Sequence, residues 1–342
     1  MSNLTHNNGN GTGYGNATLL ENPELCTLQT CDLSMASFLY IPTLAGNALY
    51  TAIFGVFLVG QLYLGIKHKI WGYMTAMILG LLLEIIGYIG RILLHSSPFD
   101  NNDFLMYLVT LTIAPALLSA AIYLCLARIV IVYGTHLSRL SPRTYTFVFC
   151  TCDLISLVLQ AVGGAIASTA NTHSDSDLGK NIMLAGLAFQ VFSLLLFCVL
   201  GSEFAYRVWT HRGTWNPRYV SLVETRLFKS FLVGLVIATV TILARCIYRC
   251  IELSGGFNGT LFVNDEAVFM VMEGLMIIIA CFCLTFLHPA VCFQGVWHQA
   301  TFSFRKSKAA RDIKLESMPY DEESQMSRDR FLSSQENQYS GR

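Results

Sequence analysis

The sequence predicts an all-α polytopic membrane protein, a bundle of seven transmembrane helices with its N-terminus outside and its C-terminus in the cytoplasm. Three observations predict it. The 342 residues are 54% hydrophobic and only 13% charged, whereas soluble domains carry about 25% charged residues. Seven apolar stretches approach or exceed the roughly 20 residues needed to cross a ~30 Å hydrocarbon core. Lys and Arg fall almost entirely on alternate connections between those stretches, the asymmetry that orients membrane proteins.

The stretches run over 43–66, 73–95, 104–129, 144–169, 182–204, 228–249 and 268–289. Each is too long and too weakly alternating for a barrel strand. Backbone groups in hydrocarbon must be satisfied internally, so each stretch predicts a helix. This divides the chain into an extracellular tail (1–42), a membrane domain (43–295) and a mobile cytoplasmic tail (296–342). The first forty residues are too polar for a cleavable signal peptide, so the first span is expected to drive insertion.

Orientation follows from the connections. The first carries Lys67 and Lys69, the third Arg139 and Arg143, the fifth Arg207, Arg212, Arg218 and Arg226. The second holds Asp100 and Asp103 with no basic residue, the fourth Asp175 and Asp177 with only Lys180, the sixth Glu252, Asp265 and Glu266. Odd connections are therefore assigned to the cytoplasm. Four glycosylation sequons, at Asn3, Asn10, Asn16 and Asn258, all fall on the sides assigned as external. A single sequon is a weak signal, but four on one side agree with the charge pattern. Of the eleven cysteines, most lie in or beside spans, where Cys is a small apolar residue. Cys26 and Cys31 are external, where oxidation is allowed. A disulfide between them, or from one of them to Cys250, stays open at this point.

Several charged groups interrupt the spans, at about 2.5–3.5 kcal/mol each on insertion scales. Glu84 and Arg91 stand two helical turns apart on one face of the second span. Arg245, Arg249 and Glu252 end the sixth span, and Glu273 begins the seventh, so these join Arg91 in the outer half. Asp153 and Arg128 fall in the inner half, with Gln160 near mid-depth two turns from Asp153. Two readings compete: ion pairs that lock helices together, or a staggered polar pathway for a charged head group. Pro115 removes a hydrogen bond from the third span, and Gly163-Gly164 allows close helix approach in the fourth.

Other functions are disfavoured. There is no phosphate-binding glycine loop, hence no direct use of ATP. His95 lies at an outer end, His288 and His298 at or beyond an inner end, and His68, His136 and His211 in loops. No three share a depth, so no metal site and no cofactor is expected. No catalytic residues are assigned, and nothing points to nucleic acid. A rhodopsin-like receptor would show Asp/Glu-Arg-Tyr where Ala127-Arg128-Ile129 stands; a receptor-like sensor remains the alternative. The basic run from Arg305 to Lys314 is suited to anionic inner-leaflet lipid.

The stretches Glu84 to Arg91, Ala114 to Arg128, Cys152 to Gly164 and Arg245 to Glu252 also carry a resemblance. With Gly256 to Gly259, Glu266 and His288-Pro289 following in order, the chain resembles the fungal RTA-like family, the lipid-translocating exporters that include a sphingoid long-chain-base exporter type. The resemblance covers roughly residues 40–295. It departs at Glu273, where Asp is expected, at Ala290, where Gly is usual, and at Met276, where Pro is common, which puts a kink in the seventh span in doubt. The resemblance implies a multi-pass plasma-membrane protein that moves sphingoid bases or similar amphiphiles, with tolerance of toxic lipid-like compounds. It adds no enzymatic activity. On this reading Glu84, Asp153 and Glu273 successively pair with the ammonium of a sphingoid base. Arg91 and Arg245 hold the carboxylates charged or bind a phosphate. Arg128, Gln160, Arg249 and Glu252 complete the pathway.

Overall fold

The computed structural model describes residues 42–169, 173–212, 215–254 and 266–298. Seven described helices are long and apolar enough to cross a membrane. They are α1 (Leu44–His68), α2 (Trp71–Ser96), α3 (Asn101–Tyr133), α4 (Pro142–Thr169), α5 (His173–Thr210) and α6 (Arg226–Ser254), with a composite α7. Helix α7 runs through Glu266–Phe269, a π-helical segment Met270–Leu275, and Met276–Phe286. Asn3, Asn10, Asn16, Asn258, Cys26, Cys31 and the basic run 305–314 lie outside the described residues. Cys250 has a free thiol.

Local chemistry explains how neighbouring helices reverse. Lys69 takes a left-handed conformation (φ 55°) after α1, and the amides of Lys69 and Ile70 bond back to Ile66 and Gly65. This closes the last turn of α1 and starts α2 two residues later, as helix C-caps do. Asp100 caps α3 by accepting from the Asn102 amide at 2.8 Å.

Several helices outrun the apolar stretches that predict them. The stretch 182–204 sits inside the 38-residue α5. Hydrocarbon limits the apolar run, not the helix. Beyond it, Asp177–Lys180 (2.8 Å) and Glu203–Arg207 (2.7 Å) pair along the helix and support its polar ends.

Helix α3 is the centre of the bundle: 72% of its apolar window is buried, against 22% in α1. Helices α4 and α5 meet nearly backbone to backbone. A Cβ on Gly163 would lie 2.4 Å from the Met183 nitrogen, and one on Gly179 would lie 2.5 Å from the Ala167 nitrogen. Gly164, by contrast, has only the Met183 sulfur nearby, at 3.9 Å. Of the Gly163-Gly164 pair, the first glycine makes the contact.

The seventh helix corrects one expectation. Met276 stands where proline would break the helix, yet its hydrogen-bond register changes anyway, over the six π-helical residues just before Met276. Such segments disrupt an α-helix without proline. Gly274 inside it packs against Tyr50 and Tyr88, where a Cβ would come within 2.1 and 2.6 Å of their ring and hydroxyl atoms.

Candidate functional site

The site is a buried layer of charge where α1, α2, α3, α6 and α7 meet. Its members come from positions that helical spacing aligns. Glu84 and Arg91 lie on the inward face of α2, and Arg245, Arg249 and Glu252 on that of α6. Glu273 enters from the π-helical segment of α7. All six are at most 3% exposed.

Arg245 is the centre of the layer. Its Nη2 donates to Glu273 Oε1 at 2.7 Å and also to the backbone carbonyl of Leu111 on α3. That carbonyl is four residues before Pro115, the position whose missing N–H leaves it without a helical donor. Arg245 therefore supplies the hydrogen bond that proline removes, and joins three helices by doing so. Arg249 bonds Glu252 at 2.6 Å along α6 and lies 3.8 Å from Glu273.

Arg91 extends the layer toward α1 and the start of α7. Its Nε donates to Asn47 Oδ1 at 3.2 Å, and Nη2 lies 3.9 Å from Glu266. The guanidinium stacks 3.9 Å from the Phe269 ring centroid and 5.5 Å from that of Tyr107. Glu266 in turn accepts from the backbone amide and hydroxyl of Thr43 at 2.6 and 3.0 Å.

Glu84 differs from the others. It is fully buried, and among the described residues neither carboxylate oxygen has a hydrogen-bond partner. It lies within electrostatic reach of Arg245, Arg249 and Glu273. Counted at full ionisation, three guanidiniums face the four carboxylates Glu84, Glu252, Glu266 and Glu273. Glu84 is the carboxyl group left over in that count.

The remaining candidates form separate groups. Asp153 on α4 accepts from Ser119 (2.9 Å) and Tyr123 (3.0 Å) of α3 through one oxygen; its other oxygen has no partner among the described residues. Buried Cys246 on α6 is within electrostatic reach of Asp153 as well as Arg245 and Glu273, so this group neighbours the charged layer. Gln160 donates to Ser156 at 2.7 Å and to Gln190 of α5 at 2.9 Å. Arg128 is drawn elsewhere: it donates to the Trp297 carbonyl at 2.6 Å and stacks on the Trp297 ring at 4.8 Å. There it clamps the segment that follows α7.

Sequence reasoning missed Asn47, Ser119, Tyr123 and Gln190, which satisfy the charged or amide groups above. Only one signal pointed to any of them. Pro115, Ser119 and Tyr123 repeat every four residues and so share one face of α3.

The family described as RTA1 like protein matches residues 77–296, which contain all of these groups except Asn47, Thr43 and Trp297. The Saccharomyces cerevisiae sphingoid long-chain base transporter RSB1 is 34% identical over 284 residues, spanning 75% of this chain and 74% of the relative. Protoporphyrin uptake protein 1 of the same organism is 31% identical over 206 residues, 59% of this chain and 64% of that protein. Protein RTM1, also from Saccharomyces cerevisiae, is 29% identical over 210 residues, 59% of this chain and 65% of the relative. No solved structure matches the chain. By the length of the family match, and by the identity shared with the sphingoid-base transporter, the chain is a member of the RTA1-like family.

Proposed function

We propose that this protein translocates or exports sphingoid long-chain bases, or amphiphiles of the same chemistry, across the membrane without hydrolysing ATP and without chemical change to the lipid. The observation that carries this reading is Glu84, a fully buried carboxyl group with no hydrogen-bond donor among the described residues, set beside the Arg245–Glu273 and Arg249–Glu252 pairs. A sphingoid base brings one ammonium group and one long chain. The ammonium would pair with the ionised Glu84 while the chain stays in lipid. A buried carboxylate strongly favours a paired cation. Membership of the RTA1-like family and the similarity to a sphingoid-base transporter support the same lipid class.

The layer is closed in this conformation, with Arg91, Arg245 and Glu273 at most 1% exposed. Passage therefore requires the helices to part. Pro115 and the π-helical segment place two weakened helix registers beside Arg245 and Glu273, where such a movement would begin. Asp153, whose second oxygen lacks a donor among the described residues, is the next carboxylate along the proposed path. Arg249 and Glu252 pair within the charged layer, and Gln160 bonds Ser156, three residues from Asp153, and Gln190. Arg128 is reassigned from the path to the clamp on Trp297.

We further place the protein in the plasma membrane, N-terminus outside, with the run from Arg305 to Lys314 against anionic lipid of the inner leaflet. The test of function is movement of a labelled sphingoid base between leaflets of liposomes containing only this protein. Protein-dependent flux with unaltered lipid supports the reading. Saturable binding without flux would instead make the protein a sensor.

A further inference from the structure

A second feature of the bundle carries charge of the opposite sign. Helices α3, α5 and α6 border an open groove of about 520 Å³, within the roughly 300–1,000 Å³ of small-molecule sites. Its walls are predominantly apolar, with Phe197 of α5 and Leu232 of α6 on facing sides. Gly201 lies on its wall, and a Cβ built there would meet nothing within 4 Å. The groove ends at the face of the bundle that bears the basic connections, where Trp209, Trp215, Arg212 and Lys229 line it. The Trp215 indole donates to the Val208 carbonyl at 3.0 Å, which fixes that wall.

Arg212 and Lys229 are the only charged residues among the twenty that line the groove. Nearby, Arg139 and Arg207 share Glu203 at 2.7 Å each. Arg212 and Lys229 form no ion pair among the described residues. An apolar channel that ends in tryptophans and two unneutralised cations matches the outline of a lipid whose head group is anionic. It repels an ammonium head, so it is not a further station on the sphingoid-base path.

We propose that the α3–α5–α6 groove binds the acyl chain of a phosphate-bearing anionic membrane lipid, with Arg212 and Lys229 receiving its head group. The site holds a lipid between α5 and α6, apart from the charged layer, none of whose six buried ionic residues lines the groove. Two basic contacts predict roughly a ten- to thirtyfold preference over a zwitterionic lipid with the same chains.

The test uses the full-length protein in liposomes and reads quenching of tryptophan fluorescence by brominated phosphatidic acid or brominated phosphatidylcholine. Wild-type protein should reach half-maximal quenching at about a tenfold lower mole fraction of the phosphatidic acid. In the Arg212→Gln/Lys229→Gln variant the two curves should coincide. Gly201→Leu, whose added atoms enter open space, should melt like wild type and lose the saturable quenching by both lipids. Inorganic phosphate should not compete. Coincident curves in the wild type would overturn the proposal. So would a preference that survives either variant, which would move the head-group selectivity elsewhere, or competition by free phosphate.

Discussion

The Leu111 carbonyl accepts its hydrogen bond from the Arg245 guanidinium at the place in α3 where Pro115 has removed the helical donor. The same guanidinium nitrogen holds Glu273 at 2.7 Å in the π-helical part of α7. A backbone group released in one helix thus fixes the position of a charge from a second helix and a carboxylate from a third. Interrupted helices in membrane proteins are tolerated where another group re-satisfies the backbone. Here that group is a buried arginine, and the carboxylates proposed to meet the lipid amine surround it.

This coupling predicts a non-additive pair of substitutions. Arg245→Met should destabilise the protein by about 3–5 kcal/mol, since it leaves Glu273 buried without its partner. Pro115→Ala restores an N–H for Leu111, so Arg245→Met should cost less in that background, by about 0.5–3 kcal/mol. Thermal melting of the four proteins in one detergent gives the cycle. Simple additivity would show that the Leu111 contact contributes nothing.

The α4–α5 seam predicts a contrast between adjacent glycines. Gly163→Ala would drive a methyl group against the Met183 backbone and should cost about 1–3 kcal/mol. Gly164→Ala, with its nearest neighbour at 3.9 Å, should be neutral or gain up to about 1 kcal/mol of helix stability. Equal melting temperatures for the two variants would contradict the seam.

Arg128 predicts a structural effect without loss of transport. Arg128→Ala removes both the 2.6 Å bond to the Trp297 carbonyl and the stacking on its ring. Proteolysis near Trp297 should become faster and its emission should shift, while lipid flux per folded protein stays within about twofold. A proportionate loss of flux would return Arg128 to the path.

Orientation is checked separately. With the N-terminus outside, endoglycosidase treatment should sharpen and speed the band on a gel, and replacing Asn3, Asn10 and Asn16 by Gln should abolish most of that shift. Labelling of a tag at the C-terminus on intact cells would reverse the assignment.

Much of the charged layer was legible because ions inside apolar stretches are conspicuous. The seven-residue spacing of Glu84 and Arg91, and the 245–249–252 series, put those groups on single helix faces before any packing was known. Glu273 stood out in the same way. Their partners were hidden for different reasons. Asn47, Ser119 and Gln190 are small or neutral polar residues, which occur throughout membrane helices as packing elements. Pro115 announced a free carbonyl, but which side chain would reach it depends on tertiary packing. The π-helical segment is a change in hydrogen-bond register with no residue pattern of its own. The partner of Arg128 was hidden because Trp297 follows the last apolar stretch, and nothing in the spacing says that the chain folds back to it.

On the proposed function, the buried carboxylates recognise the lipid by its ammonium group. The most direct measurement compares leaflet-to-leaflet movement of a labelled sphingoid base and its N-acylated, uncharged derivative in liposomes, for wild type and Glu84→Gln. Wild-type protein should move the base at least tenfold faster than the neutral derivative, and Glu84→Gln, folded and inserted to the same extent, should lose most of that difference. Equal movement of both lipids by the wild type, or an unchanged preference in Glu84→Gln, would contradict it.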